Sequence, residues 1–347
     1  MSKEFDSAID CKLLFNGPTQ TESSLILLRS KLAAIAQRLG INDLKRENML
    51  LVASELVSNN VKHAGGRGMV QVWQQPGGVL DLLSLDYGPG IQNLEQAEVD
   101  GYSSASTLGK GLGAIRRLSD ESYIYTQPAS SSQIKKWSGT VILARFRYRN
   151  ETEEICPGFK FGIFSRSLSD ERYNGDRIYL HHKGRVLRWL HLDGLGHGEE
   201  AKAATANLGE HLDGYTDPGA VLEMVDRQLV DTRGAVAVTG EIDLAKSQLQ
   251  LLGVGDMHAH VYSREQIQHI AFAPGILGRE HRKADLAESE FGKKSVVLTA
   301  SDGIRRNWDT ENFSGLFNQH PQLIAYALGN IMGRISDDQS IYVASVE

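Results

Sequence analysis

Four aspartates stand in a fixed order in the second half of the chain: Asp176, Asp193, Asp302 and Asp337. The last three adjoin runs that favour β-strands, and glycines recur at alternate positions in 194–198. Carboxylates at strand edges can converge on hard divalent cations, which prefer oxygen ligands. Two such cations about 3.5–4 Å apart can activate a water and offset the charge of a phosphoryl group. A single Asp-Gly pair usually marks a turn, but four aspartates in this order favour a metal site.

The first half of the chain holds a second set of residues that could do chemistry. Glu55 and Asn59 are four positions apart, so on a helix they project from one face. A glycine-rich run, 108–113, precedes a segment that predicts a helix over 114–118. Glycines that open a helix let backbone N–H groups and the helix dipole meet phosphate oxygens. Taken alone, this run indicates only a mobile loop, so its meaning depends on the residues around it.

The elements that position these residues follow from apolar spacing. Residues 46–63 predict a helix, because apolar residues recur there at i, i+3, i+4, i+7 and i+8. They are Met49, Val52, Ala53, Leu56 and Val57. Residues 69–73 and 79–85, separated by a Pro-Gly-Gly turn, predict a β-hairpin that ends at Asp86.

In order, the segments 53–64, 86–91 and 101–118 resemble the nucleotide-binding motifs of the GHKL class, the ATP-binding fold shared by gyrase, histidine kinases and MutL. They are most similar to the switch-protein serine kinases of the RsbT and RsbW type. The resemblance implies that Asn59 holds Mg²⁺, that Glu55 is the candidate base, and that Asp86 accepts the adenine amino proton. It also implies nucleotide contacts for Gly88, Gly90, Gly109, Lys110, Gly111, Leu112, Gly113 and Thr140. Lys110 departs from the small or apolar residue that is usual there, and it either contacts phosphate or points to solvent.

From about residue 158 to the end, the chain resembles the metal-dependent Ser/Thr protein phosphatases of type 2C, in the bacterial SpoIIE and RsbX branch. The matching segments surround the four aspartates: 232–238, 249–256, 301–304, 320–325 and 334–340. The resemblance implies that Asp193 is the catalytic centre that bridges two Mn²⁺ or Mg²⁺ ions, with the Gly194 carbonyl as a further ligand. Asp302 and Asp337 then complete one metal's shell, and Asp176 lies in or beside it.

Length and composition fit two globular domains. The chain has 347 residues, 41% hydrophobic and 23% charged, with a net charge of −6 that gives no electrostatic reason to expect nucleic acid. The two cysteines form no CxxC pair, and without a signal peptide or a long apolar run the sequence predicts a cytoplasmic protein away from membranes. We predict an α/β (α+β) protein: a Bergerat-type α/β sandwich over 1–149, a linker over 150–157, and an αββα sandwich over 158–347.

Several other polar residues have a structural interpretation. The pair His258 and His260 fits one face of a strand, and His181-His182 fits a loop. His197 is a candidate proton donor to the leaving serine because it follows Asp193 closely. Arg233 either lies at the surface or bridges to the core, or it binds a phosphate group.

The two resemblances together imply a bifunctional switch protein. The first half would phosphorylate a serine or threonine with ATP and Mg²⁺, and the second would hydrolyse the phosphoserine of the same STAS-domain partner. The alternative is a phosphatase whose first half only binds nucleotide or an anti-sigma-type partner as a regulatory module. A histidine kinase remnant is a weaker interpretation, since no dimerising helix precedes the motifs.

Overall fold

A computed structural model describes residues 5–94, 111–129, 137–149, 156–168, 173–209, 212–215, 217–264 and 266–347. The chain folds into two compact units. Unit 1 comprises Met1–Asp10, Glu154–Glu311 and His320–Glu347, and unit 2 comprises Cys11–Glu153 and Asn312–Gln319. The units therefore differ from the sequence-based boundaries at both the first ten residues and the short segment 312–319.

In chain order the strands are β1 (Phe5–Ala8), β2 (Lys12–Pro18), β3 (Gly68–Gln75), β4 (Val79–Asp86), β5 (Glu121–Gln127), β6 (Gly139–Arg147), β7 (Phe159–Arg166), β8 (Arg177–Lys183), β9 (Val186–Gly194), β10 (Ala235–Asp243), β11 (Gln248–Val254), β12 (His258–Ser263), β13 (Gln266–Ile270), β14 (Ala287–Glu290), β15 (Val296–Ala300) and β16 (Gln339–Val346). The helices are α1 (Glu22–Arg38), α2 (Asp43–Ala64), α3 (Gly111–Leu118), α4 (Glu199–Thr205), α5 (Pro218–Leu229) and α6 (Pro321–Met332).

Unit 2 is an antiparallel sheet of order β2-β3-β4-β6-β5, and α1, α2 and α3 share one apolar core with it. The predicted helix and hairpin are confirmed as α2 and as β3 with β4. Helix α2 begins where the Asn42 side chain accepts a hydrogen bond from the Lys45 N–H at 2.9 Å. It ends at Gly65, which adopts the left-handed conformation that glycine allows. Its buried stripe faces the sheet, so Glu55 and Asn59 project away from that stripe.

Unit 1 is a sandwich of two antiparallel sheets with helices on both outer faces. One sheet has the order β1-β8-β9-β10-β11-β14, and the other has the order β13-β12-β15-β16-β7. Helices α4 and α5 pack on the first sheet and α6 packs on the second. The inner faces meet, since the rings of Trp189 on β9 and Tyr342 on β16 lie 5.2 Å apart. The predicted mixed α/β architecture, including an αββα sandwich, is confirmed.

Two features of unit 1 were not foreseen. Strand β1 pairs antiparallel with β8, so the first residues complete a sheet built from the second half of the chain. The loop predicted for His181 and His182 is wrong. Strand β8 extends to Lys183, and the chain turns only at Gly184, so both histidines lie on the strand. Their side chains are buried.

The other predicted histidine pair lies on a strand. His258 and His260 occupy alternate positions of β12 and are both buried, with their ring centroids 5.1 Å apart.

Within the described residues, no helix combines the length and apolar character that a membrane crossing requires.

Candidate carboxylate site and candidate nucleotide site

The carboxylates of unit 1 come together because four strands begin or end at the same edge of the sandwich. Strands β8 and β9 are antiparallel with Arg177 opposite Leu192, which places Asp176 beside Asp193. In the second sheet Ala300 pairs with Ile341, so Asp302, just after β15, lies near Asp337, just before β16. Strand polarity therefore brings all four predicted aspartates to one edge.

A chain of buried hydrogen bonds joins the two sheets at this edge. The Ser340 hydroxyl donates to Asp176 Oδ2 at 2.6 Å, although the two residues belong to different sheets. The ring of His191 reaches across as well, with Nε2 2.7 Å from Ser340 Oγ and Nδ1 2.9 Å from Thr299 Oγ1. The position of Asp176 is thus fixed through one oxygen. Its other oxygen, Oδ1, is buried and has no hydrogen-bond partner.

The charges at this edge repel one another. Burial raises the pKa of Asp176 to about 7, and the charges of Asp338 and Asp302 raise it further, while the hydroxyls of Ser340 and Ser301 lower it. Burial also raises the pKa of Asp193 well above its ordinary range, followed by the charge of Asp176 and other carboxylates. Such mutual repulsion is the electrostatic condition that a bound divalent cation relieves.

Asp302 has a raised pKa for the same reasons: burial first, then the charges of Asp337 and Asp256, with Arg334 and Arg306 acting in the opposite direction. Asp256 is the carboxylate that sequence reasoning missed. It lies in the turn between β11 and β12, and because His258 pairs with Ala300 it comes beside the end of β15. The signal was present in the matched run 249–256, whose last residue is this aspartate.

Asp338 has a different task from its neighbour Asp337. Its two oxygens accept the backbone N–H groups of Leu168 and Gly175, each at 2.7 Å, so it tethers two loops. Gly194, whose carbonyl is the further predicted metal ligand, donates its N–H to the Gly175 carbonyl at 3.3 Å. This hydrogen bond joins the residue after Asp193 to the residue before Asp176. His197 is exposed in the loop that follows.

The donor set fits a hard divalent cation, since it consists of carboxylate oxygens and one of them is buried without a partner. Within the described ranges, no three Asp, Glu, His or Cys side chains close around a single point. The cluster is therefore an open set of carboxylates rather than a closed coordination shell. Asp176, Asp193, Asp256, Asp302 and Asp337 are the residues that could hold metal.

In unit 2, the start of α3 lies against the polar face of α2. A Cβ atom built on Gly111 would stand 3.1 Å from Glu55 Oε2 and 3.3 Å from Asn59 Oδ1. Asn59 Nδ2 is buried and has no hydrogen-bond partner. Its neighbour Asn60 bonds to Thr19 and Ser84 instead, so the two adjacent asparagines have different tasks. Asn59 is the one available to a ligand.

Asp86 lies at the end of β4, where burial raises the pKa of its carboxyl. The backbone N–H groups of Gly88, at 2.7 Å, and Thr140 act in the opposite direction. Gly139 adopts a φ of +151°, and a Cβ there would stand 2.1 Å from the Asp86 carbonyl oxygen. Only glycine permits this approach, which brings β6 and Thr140 beside Asp86.

The remaining predicted nucleotide contacts divide between described and undescribed residues. Gly90 follows the turn after Asp86, while Leu112 and Gly113 lie in the first turn of α3. Leu112 also packs against the apolar core, so its side chain has a structural task as well. Gly109 and Lys110 fall outside the described residues.

Comparison with known proteins identifies the family to which the segment with the candidate nucleotide site belongs. Residues 18–135 match the model of the histidine kinase-like ATPase domain. The serine/threonine-protein kinase RsbT of Bacillus subtilis strain 168 is 30% identical over 121 residues, which are 34% of this chain and 91% of RsbT. The chain therefore belongs to the histidine kinase-like ATPase family through this segment, as the motifs predicted.

Two solved structures align with about half of the chain. A chain from a structure of the bacterial stressosome, described as a modular system adapted to control secondary messenger signalling, is 26% identical, with a TM-score of 0.50, over 54% of this chain and 98% of that one. RsbX in complex with magnesium is 18% identical, with a TM-score of 0.49, over 56% of this chain and 98% of that one. The predicted likeness to SpoIIE and RsbX phosphatases is thus found among the structural neighbours.

Proposed function

We propose that this protein is a bifunctional switch enzyme with a serine kinase and a phosphoserine phosphatase on one chain. The observation that carries the phosphatase half is the cluster of carboxylates at the edge of unit 1, where Asp176, Asp193 and Asp302 all have raised pKa values. So much negative charge in partly buried surroundings is costly unless cations are bound. Metal ions held there would supply an activated water and offset phosphoryl charge.

The residues of unit 1 fall into two groups: some would hold the metal ions, and others position the residues that do so. Asp193 and Asp302 present carboxylate oxygens from different sheets, so the site depends on how the sandwich is packed. Asp338 fixes the loops around Gly175 by accepting two backbone N–H groups. Ser340 fixes Asp176 and leaves one of its oxygens without a partner.

The kinase half is supported by the placement of Glu55 and Asn59 against Gly111 and by the RsbT likeness. Asn59 would offer its amide oxygen to the nucleotide's Mg²⁺, and Glu55 would take the proton of an attacking hydroxyl. Asp86 offers a carboxylate to the adenine amino group. The substrate we propose is a STAS-domain protein, since RsbT and a stressosome chain are both similar to this one.

Opposed activities on one chain can be tested by silencing each in turn. In ATP and Mg²⁺, Asp193→Asn should raise the steady-state phosphorylation of a STAS partner, and Glu55→Ala should lower it without slowing phosphate release. Mass spectrometry of the partner provides the measurement. An unmodified partner in the Asp193→Asn background, with ATP bound, would contradict the kinase half. If the partner stays unmodified, a wild-type phosphatase rate that changes with ATP would indicate a regulatory nucleotide-binding module.

A further inference from the structure

The hydrogen-bond chain that ends at Asp176 alternates between the two sheets of the sandwich. Its members are Thr299 on β15, His191 on β9, Ser340 on β16 and Asp176 before β8. Each is at most 4% exposed, so water cannot substitute readily for any of its bonds. Buried polar chains of this kind are costly when one partner is missing, because the remaining donor or acceptor stays unsatisfied.

The direction of the chain follows from the donor inventory. An ionised Asp176 can only accept, so the Ser340 hydroxyl must give its proton to Oδ2. Ser340 Oγ then needs a donor from His191, which makes Nε2 the protonated nitrogen of that ring. In the neutral ring Nδ1 is an acceptor, and the Thr299 hydroxyl donates to it. Every hydroxyl and ring nitrogen in the chain is thereby satisfied.

The opposite tautomer would break this arrangement. If Nδ1 carried the proton, Nε2 would accept from Ser340, and the hydroxyl could no longer donate to Asp176. Two oxygens would then face each other at 2.6 Å without a proton between them. The ionised carboxylate, which metal binding requires, is thus compatible with one tautomer of His191 only.

We propose that His191 is a positioning residue: through Ser340 it holds Asp176 Oδ2 and leaves the buried Oδ1 free to face a divalent cation. The inference rests on the proposed phosphatase site, because it assigns Asp176 a place at the metal. Partners of this kind orient metal ligands, and their loss typically lowers metal affinity about 10–100-fold.

Two substitutions at position 191 separate positioning from packing. Gln places its amide nitrogen near the position of Nε2 and keeps the donor to Ser340, whereas Asn reaches only the position of Nδ1. Calorimetric titration of the full chain with Mn²⁺ should show affinity close to wild type for His191→Gln and about 10–100-fold lower for His191→Asn. Ser340→Ala should match His191→Asn. Trp189→Phe, a buried change between the same two sheets, is the control for packing and should leave Mn²⁺ affinity unchanged.

A second measurement needs no metal. Nitrogen-15 NMR of the histidine rings in chelator at about pH 8, where Asp176 is ionised, should show His191 protonated at Nε2. A ring protonated at Nδ1, or equal Mn²⁺ affinity for His191→Asn and wild type, would overturn the inference. If His191→Asn does not fold, Ser340→Ala and the ring tautomer decide. Mn²⁺ binding without phosphate release would contradict the phosphatase proposal alone, since the affinities still test the chain of bonds.

Discussion

Gly111 approaches Glu55 so closely that a single added methyl group would stand 3.1 Å from the Oε2 atom of the carboxylate. The first residue of a helix thus lies against the polar face of another, at the two side chains assigned to ATP chemistry. Such a contact is tighter than ordinary van der Waals packing, and Asn59 stands almost as near. The glycine therefore keeps room for ligand at the candidate base.

Gly111→Ala should separate ligand binding from stability. We expect ATP affinity to fall about tenfold, a cost of about 1.4 kcal/mol, because the methyl group must displace Glu55 or Asn59. Thermal stability should change little, since Gly111 is the first residue of α3 rather than an interior one, and the nearest atoms to the added methyl group belong to the side chains of Glu55 and Asn59. Calorimetry with ATP and a melting curve give both quantities. If Gly111→Ala weakens ATP equally in wild-type and Glu55→Ala backgrounds, Glu55 is not the group displaced.

Asp86→Asn should weaken ATP and relax the choice of base. The loss of one charge-assisted hydrogen bond corresponds to about 1.5–3 kcal/mol, roughly ten- to a hundredfold in affinity. Titration of the full chain with ATP and GTP measures the change. Equal affinity of the wild type for the two nucleotides would contradict the role of Asp86.

Asp193→Asn should abolish metal-dependent hydrolysis. We expect release of phosphate from p-nitrophenyl phosphate in Mn²⁺ to fall by about a hundredfold or more, and chelator should do the same to the wild type. Glu223→Gln is a matched control, because this carboxylate is exposed on α5 in an ion pair with Arg227. Full activity in chelator, or in the Asp193→Asn variant, would exclude the two-metal interpretation.

The carboxylate cluster predicts an unusual dependence of stability on pH. In chelator, Asp176 with its pKa near 7 binds a proton in the folded state that the unfolded chain has lost above about pH 4. This contribution is present at low pH and disappears as the pH rises through 7. The metal-free protein should thus melt higher at pH 5.5 than at pH 8. A difference of about 1 kcal/mol corresponds to roughly 2–4 °C.

Two variants of the melting experiment test this explanation. Asp176→Asn should reduce the pH dependence without abolishing it, because the amide cannot titrate, whereas the pKa values of Asp193 and Asp302 are raised in the same direction. Saturating Mn²⁺ should reverse the trend, since metal binds the ionised carboxylates and stabilises the folded state by mass action. A wild type whose melting temperature in chelator rises from pH 5.5 to 8 would contradict the assignment.

Local pattern sufficed for part of the two sites, and long-range packing decided the rest. Glu55 and Asn59 were predictable because helical spacing alone puts them on one face. Asp256 stands in a matched segment, but its approach to Asp302 was not predictable, because it depends on the pairing of β12 with β15. His191 was missed for the same reason: its partners Thr299 and Ser340 lie 108 and 149 residues further along the chain. No spacing within β9 indicates either contact.

The path of the chain between the units limits how the protein can be dissected. The backbone passes from unit 1 to unit 2 and back twice, at residues 10–11, 153–154, 311–312 and 319–320. A cut at the linker would carry β1 away from β8 and residues 312–319 away from the unit to which they belong. The longer strand β8 would then become a bare sheet edge, which favours aggregation. We therefore expect the two proposed activities to be measurable in the uncut polypeptide rather than in either half.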